Sequence, residues 1–237
     1  MKTIRASVWG TGRMGTELVR AAARHGWLQF VAGIVTDPKK EGRDLGEIAA
    51  CMKRVLDAGK DAVTLSGLVH PATALGPDGA DELDRAAKAS GRHAIGTGIA
   101  PGFLVDVLPI AWLSTAAGYR RVKARMVGNM NSWGLGVLRA FGIGMSPAEI
   151  TPPAGRVSLK ESVALIGEAA GLRFDRIIET NEPLISKTRR ESGGIVVEPG
   201  TVTGFQRRFA GIVADQERVI VEWSAAWLLD PAVDGLQ

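Results

Sequence analysis

The sequence predicts an α/β protein, with a doubly wound, Rossmann-type parallel sheet followed by an α+β domain whose sheet is largely antiparallel. Three observations carry this. Strand-like and helix-like stretches alternate up to residue 97, the first strand runs directly into a glycine-rich turn, and residues 173–227 read as long strands with little helix between them.

Residues Ile4 to Trp9 carry alternating β-favouring side chains, and Gly10-Thr11-Gly12-Arg13-Met14-Gly15 then breaks the strand. Met14, Leu18, Val19 and Ala22 follow at helical spacing, and Leu28 to Val35 is a nearly continuous apolar run of the kind buried on both faces of a parallel sheet. The result is a βαβ unit. Asp44 to Leu56 reads as the next helix, Asp61 to Ser66 as a third strand, Gly79 to Ala89 as a helix closed by Gly91, and His93 to Thr97 as a fourth strand. After Gly102 the pattern changes to one long apolar helix, Phe103 to Ala117, and a strand from Tyr119 to Asn131 with charged residues on one face. Ser158-Leu159-Lys160-Glu161 has the spacing of a capping box opening a helix to Gly171. Arg173 to Ile185, Thr201 to Val213 and Arg218 to Trp227 are the late strands, and Ser146 to Gly155 reads as a loop. The change of pattern sets a domain boundary near residue 113, giving a dinucleotide-binding domain over 1–112 and a substrate-binding and dimerisation domain over 113–237.

Composition narrows the classes. At 237 residues, 46% hydrophobic and 23% charged, the chain can bury its own core, which excludes a disordered or fibrous protein. The single cysteine, Cys51, excludes an intramolecular disulfide or a thiolate metal cluster and suits a reducing, cytoplasmic setting; no metal site is expected. The net charge of +4 is a small surplus, and Arg120-Arg121-Lys123-Arg125, Arg189-Arg190 and Arg207-Arg208 read as solvated faces, since no nucleic-acid module accompanies them. Pro101, Asp106 and Pro109 interrupt the apolar stretch from Ile99 to Tyr119, so it reads as a buried helix and not a membrane span. No long apolar run follows Lys2 and Arg5 before Gly10, so no signal peptide is expected.

The glycine turn has the context of a dinucleotide fingerprint, because it follows a strand, opens a helix, and is followed by an acidic residue, Asp37, 22 positions beyond Gly15. Gly10 permits the tight turn, Gly12 lets backbone N–H groups approach a pyrophosphate, and Gly15 lets the helix lie against the strand. Backbone groups of Gly10, Thr11, Gly12, Arg13, Met14 and Gly15 are thus the expected pyrophosphate site, at the positive end of a helix. Asp37 would accept hydrogen bonds from a ribose 2′-hydroxyl, whereas Arg13, Lys39, Lys40 and Arg43 would attract a 2′-phosphate. The cofactor is therefore NADP or NAD, with the charge count favouring NADP.

The fourth strand ends in a second glycine-rich turn, Gly96-Thr97-Gly98-Ile99-Ala100-Pro101-Gly102-Phe103, at the carboxyl edge of the sheet where open α/β folds bind ligands. The motifs GTGRMG and GTGIAPGF, the helix FLVDVLPIAWLS, and the segments Ala58 to Pro71 and Pro199 to Gln206 resemble the dihydrodipicolinate-reductase-like superfamily. The closest resemblance is to its 2,4-diaminopentanoate dehydrogenase and amine dehydrogenase branch. It implies an NAD(P)-dependent oxidoreductase moving a hydride between a nicotinamide and the C–N bond of a small amine or diamine, by amine oxidation or reductive amination. It further implies that Gly96, Thr97, Gly98 and Pro101 lie beside the nicotinamide, and that the later sheet forms a substrate wall and the face of a homodimer.

The chain departs from that pattern in three places. The paired histidines of true dihydrodipicolinate reductases are absent, since His25, His70 and His93 are isolated. The branch commonly carries a glutamate just after the strand that here reads Val63 to His70, and none stands there. Additional strand and helix are expected between Ala50 and Asp57, and a return segment after Gln237. Candidate chemical groups are then His70, past a strand's carboxyl end, as proton handler, and Asn131, with Asn129 and Ser132, as orienter of an amine. Asp106 could bind an ammonium or favour a helix terminus, and Trp112 and Trp133 could line an apolar pocket. Two other readings stand beside the leading one: a reductase of a cyclic imine or activated double bond, and a shortened, non-catalytic dinucleotide-binding protein. Replacing Lys39 and Lys40 together by alanine is expected to weaken NADP binding about tenfold, the scale of a lost charge-assisted hydrogen bond. NAD binding should hold within about twofold. A fluorescence titration measures both, and unchanged NADP affinity refutes the charge argument.

Overall fold

Ile4–Trp9 (β1) and Leu28–Ile34 (β2) pair in parallel, with the register shifting between Ala6 and Ser7. A parallel pair cannot be closed by a hairpin, which agrees with the long connection between them. The computed structural model describes residues 4–9, 20, 24–25, 28–34, 45–65, 67–150 and 158–228. Gly10, Thr11, Gly12, Arg13, Met14, Gly15, Asp37, Lys39, Lys40 and Arg43 lie outside the described residues. The chain divides into two compact units, 1–43 and 44–237.

The second unit opens with Leu45–Asp57 (α1), Ala62–Thr64 (β3), Pro71–Ser90 (α2) and Ala94–Gly96 (β4), and β3 and β4 are again parallel. Met52, Leu56, Ala62, Leu68 and Leu83 form a small core between these elements. The helix α1 runs unbroken through the stretch where further elements were expected. α2 starts eight residues before the expected Gly79, because His70 caps it and Pro71 takes the first helical position, where a missing N–H costs nothing. Gly76, before Pro77, adopts φ 74° and ψ 169° as a kink, and the helix resumes beyond it. Gly91, at φ 61°, ends it in the left-handed conformation, as expected.

The apolar stretch after Gly102 is not one long helix. It begins as a π-helical turn, Phe103–Val107, continues as Leu108–Leu113 (α3), and stops there. The hydroxyls of Ser114 and Thr115 donate to the carbonyl oxygens of Ala111 and Trp112, which satisfies the helix end and terminates it before Ala117. Then follow Val122–Asn129 (β5), Leu135–Ala140 (α4), Lys160–Ala169 (α5), Arg176–Ile185 (β6), Arg190–Ser192 (β7), Ile195–Val197 (β8), Val202–Val213 (β9) and Gln216–Ala226 (β10). A four-stranded sheet runs in the order β5-β10-β9-β6. β9 is antiparallel to both neighbours and β5 is parallel to β10, so the sheet is mixed as well as largely antiparallel. The β7–β8 hairpin escaped the sequence reading because its strands are three residues long; Gly193 and Gly194, both at positive φ, supply its tight turn.

The expected capping box at Ser158 is not formed. Leu159 holds the N-cap position of α5, Ser158 Oγ accepts from the Lys160 N–H at 3.3 Å, and Glu161 turns into the interior. Leu159, Val163 and Ile166 of α5 pack on the sheet residues Phe209, Val219 and Val221. Phe174 fits under this helix because Gly167 and Gly211 carry no side chain: a Cβ would stand 2.3 Å from the ring at the former and 2.5 Å at the latter. Beside them Phe141 stacks on Phe205 at 4.9 Å and Trp223 meets Phe205 edge-on at 4.9 Å. Trp133 joins this cluster, 5.4 Å from Phe141, rather than an open pocket.

The other face of the sheet carries a small apolar cluster, Ala210, Ile212 and Ile220, with charged pairs beside it. Glu222 meets Lys123 at 3.0 Å and Arg208 at 3.6 Å, and Arg208 also pairs with Glu217. Much of the basic clustering seen in the sequence is thus matched by carboxylates. No helix among the described residues is long and apolar enough to cross a membrane. Phe209→Ala, which empties a fully buried ring site, is expected to cost about 3 to 5 kcal/mol in a denaturant-unfolding experiment.

Candidate functional site

The carboxyl ends of β3 and β4 lead into two loops that touch. After β3 the chain turns through Gly67 at φ 92° and Leu68 at φ 61°, and a Cβ on Gly96 at the end of β4 would stand 2.1 Å from the Leu68 carbonyl oxygen. Gly96 is therefore required by close approach and not only by turn geometry. Thr97 keeps the strands in register, its N–H donating to the Thr64 carbonyl at 2.9 Å.

The loop after β4 closes on itself. Ile99 bridges to Gly102, and the Phe103 and Leu104 amides donate to the Ile99 carbonyl, with Ala100–Pro101 in the cis form. Gly102 sits at φ 137°, and a Cβ there would lie 2.2 Å from the Gly98 nitrogen; at Gly98, φ 153°, a Cβ would lie 2.6 Å from the Pro101 carbonyl oxygen. No side chain fits at either position. Pro101 and Gly102 are buried within the loop, and Ile99 and Phe103 are its exposed apolar side chains.

Asp106 lies beneath this loop at 0% exposure. Its Oδ2 accepts from the Gly102 N–H at 2.7 Å and from the Ser162 hydroxyl at 2.8 Å, while Oδ1 accepts from the Val107 N–H at 2.6 Å. Such a carboxylate is a buried brace and does not present itself to an ammonium group. Glu161, the next residue to Ser162 on α5, does the same for the other loop. It is 2% exposed, its Oε2 accepts from the His70 N–H at 3.1 Å, and the amides of Val69 and Leu68 are also hydrogen-bonded to its carboxylate. Burial pushes its carboxyl above the usual range; the three amides pull it down and nearby Asp106 pushes it further up.

His70 caps α2. Its Nδ1 accepts from the Thr73 hydroxyl at 2.8 Å and the Thr73 N–H at 3.3 Å, which leaves the proton on Nε2, 3.3 Å from the exposed Glu168 carboxylate. Asn131 lies in the short 3₁₀ turn after β5, where its Oδ1 accepts from the Leu228 N–H at 2.5 Å and so ties the turn to the end of β10. Asn129 Oδ1 accepts from the Asn131 N–H. The structure thus brings Gly96, Thr97, Gly98, Pro101 and His70 to one edge of the β3–β4 pair. It shows Asn131 tying the 3₁₀ turn after β5 to the end of β10.

Trp112, 66% exposed, lines an open groove of about 580 Å³ between α3 and β5 with Leu104, Leu108 and Tyr119 on one side and Arg121 and Arg125 on the other. Glu161 and Ser162 are the site residues that the sequence did not reveal. The one signal was the adjacent pair Glu161-Ser162 at the start of an otherwise apolar helix, and the capping-box spacing gave it a different meaning.

A family model described as the 2,4-diaminopentanoate dehydrogenase C-terminal domain matches residues 103–235. The chain is 28% identical to the 2,4-diaminopentanoate dehydrogenase of Acetoanaerobium sticklandii over 68% of its own length and 47% of that protein's. It is 24% identical to an amine dehydrogenase of Streptomyces virginiae, over 91% of this chain and 73% of the relative. The chain therefore spans about half the length of the first relative. The solved amine dehydrogenase from Mycobacterium smegmatis has the same fold, with a TM-score of 0.72 at 22% identity over 94% of this chain and 78% of that one.

The raised Glu161 carboxyl sets a pH dependence. The folded chain takes up this proton at higher pH than the unfolded chain, so between the raised value and 4.5 the native state binds more protons and stability rises as pH falls. The stability of the wild type relative to Glu161→Gln is expected to increase on acidification from pH 7 toward pH 4.5 in paired urea titrations. A difference that is flat with pH, or that falls, contradicts this.

Proposed function

We propose, on the premise that this chain belongs to the family of the 2,4-diaminopentanoate dehydrogenase C-terminal domain, that it acts as an NAD(P)-dependent oxidoreductase on the CH–NH₂ group of a small amine or diamine. The observation that carries this reading is the family match across residues 103–235, which begins at the Phe103 end of the second glycine loop. The build of that loop supports it. The loop folds tightly on itself at Gly98 and Gly102 and leaves Ile99 and Phe103 exposed beside it, an apolar surface that suits one face of a flat ring. The residues present therefore fit a nicotinamide, while Gly10 to Gly15 would grip the pyrophosphate by the sequence argument. When bound, the nicotinamide supplies hydride acceptance and return.

The chain's own work is to bind, orient and move a proton. His70 is proposed as the proton handler: Nε2 carries its proton toward Glu168, which at 73% exposure connects the ring to solvent. Asn131 is proposed as the group that orients substrate. Its Oδ1 is engaged by Leu228, and among the described residues no hydrogen bond occupies the amide N–H₂, which suits a carbonyl oxygen of the substrate better than an ammonium. Assembly as a homodimer through the outer face of the mixed sheet and a cytoplasmic location complete the proposal; Val127 and Ile178 are exposed on that face.

Purified protein is expected to reduce NAD(P)⁺ in the presence of a small amine or diamine, and to oxidise NAD(P)H with the matching ketone and ammonia. His70→Ala should lower kcat about 10² to 10⁴-fold, the usual weight of a general acid–base group. Turnover of a cyclic imine with silence on both amine assays favours the reductase reading. Nucleotide binding with no turnover on an amine, ketone and imine panel favours a non-catalytic protein.

A further inference from the structure

We propose that the first turn of α5 is a positioning clamp for the reaction, in which Glu161 and Ser162, adjacent on the helix, fix the two loops leaving β3 and β4 relative to each other. This rests on the nicotinamide chemistry proposed for those loops. Glu161 holds the loop after β3 through the amides of Leu68, Val69 and His70. Ser162 holds the loop after β4 through Asp106, whose Oδ2 takes both the Ser162 hydroxyl and the Gly102 N–H.

The loops need an outside restraint. Gly67, Gly96, Gly98 and Gly102 leave them few side chains that pack, chiefly Leu68 in one loop and Ala100 and Pro101 in the other, and glycine backbone has the widest choice of conformations. The clamp sits on a helix whose next residues, Val163 and Ile166, are fully buried against the mixed sheet, so the sheet's core sets where the clamp stands. Hydride transfer is sensitive to such placement: a displacement of about 1 Å at the reacting atoms can lower the rate about 10²-fold without touching the chemistry. Glu161 and Ser162 need not contact substrate or cofactor to act in this way. They are positioning residues.

The test uses the full chain carrying Ser162→Ala, with Ser162→Thr as the variant that returns the hydroxyl. In Ser162→Ala, hydrogen exchange over residues 98–107 should accelerate about fivefold or more while exchange in β9 and β10 stays unchanged. The dissociation constant for NAD(P)H should hold within about twofold, kcat for amine oxidation should fall about tenfold, and the isotope effect with an α-deuterated amine should rise. Ser162→Thr should recover most of the lost rate. Unchanged exchange over 98–107, acceleration spread equally through β9 and β10, or a loss of nucleotide affinity as large as the loss of kcat would each overturn the clamp. Wild-type protein that turns over no amine defeats the functional reading, and the exchange pattern still decides the clamp by itself.

Discussion

A buried carboxylate must be met by donors, because an ionised group left unpaired away from water costs several kcal/mol. Among the described residues, Asp106 and Glu161 are in that position, and the donors that meet them are mostly backbone amides of the loops after β4 and β3. The carboxylates do not simply decorate a finished fold. Unless Gly102 and the Leu68-to-His70 turn stand where their N–H groups reach these oxygens, α5 cannot lie on the sheet with Val163 and Ile166 buried. Packing of an apolar helix face and placement of two polar loops are thereby one event.

This coupling explains why both loops can be glycine-rich without being indeterminate. Each glycine is forced by contact: Gly96 against Leu68, Gly98 against Pro101, and Gly102 against Gly98. Missing side chains let the backbones of the two loops close on each other, but forfeit much of the packing that normally orders a loop. Here the order comes from Asp106 below and from α5 beyond it. A site folded this tightly and braced from beneath can accept a flat ring on one side while its hydrogen-bond partners stay hidden on the other.

Much of the fold was legible in the sequence, because periodicity reports burial. β1, β2, α1, β9 and β10 lie within a few residues of where alternating or apolar patterns place them. The errors share a cause. α2 begins early and the helix after Gly102 ends early because both limits depend on single side chains, His70 at one and Ser114 with Thr115 at the other, and a hydropathy pattern does not register such bonds. The parallel pairing of β5 with β10 is a tertiary choice that neither strand encodes. At the site, the glycines were legible because each must be glycine. Glu161 was not, since Ser-x-x-Glu spacing describes equally a helix start with its glutamate folded back and one whose glutamate reaches inward to another loop.

The division of labour has a further physical consequence. The glycine turn proposed to hold a pyrophosphate spans residues 10–15, and the braces are residues 106, 161 and 162, in different compact units of the chain. Grip on a dinucleotide derives mainly from helix-end amides and charge on its phosphates. On the proposed reading, the geometry of hydride transfer would derive from how the loops at β3 and β4 are spaced. Two free energies set by separate residues can change independently. Asp106 and Ser162 join the glycine loop to the helix the sheet carries, and the family model covers both residues together with that sheet.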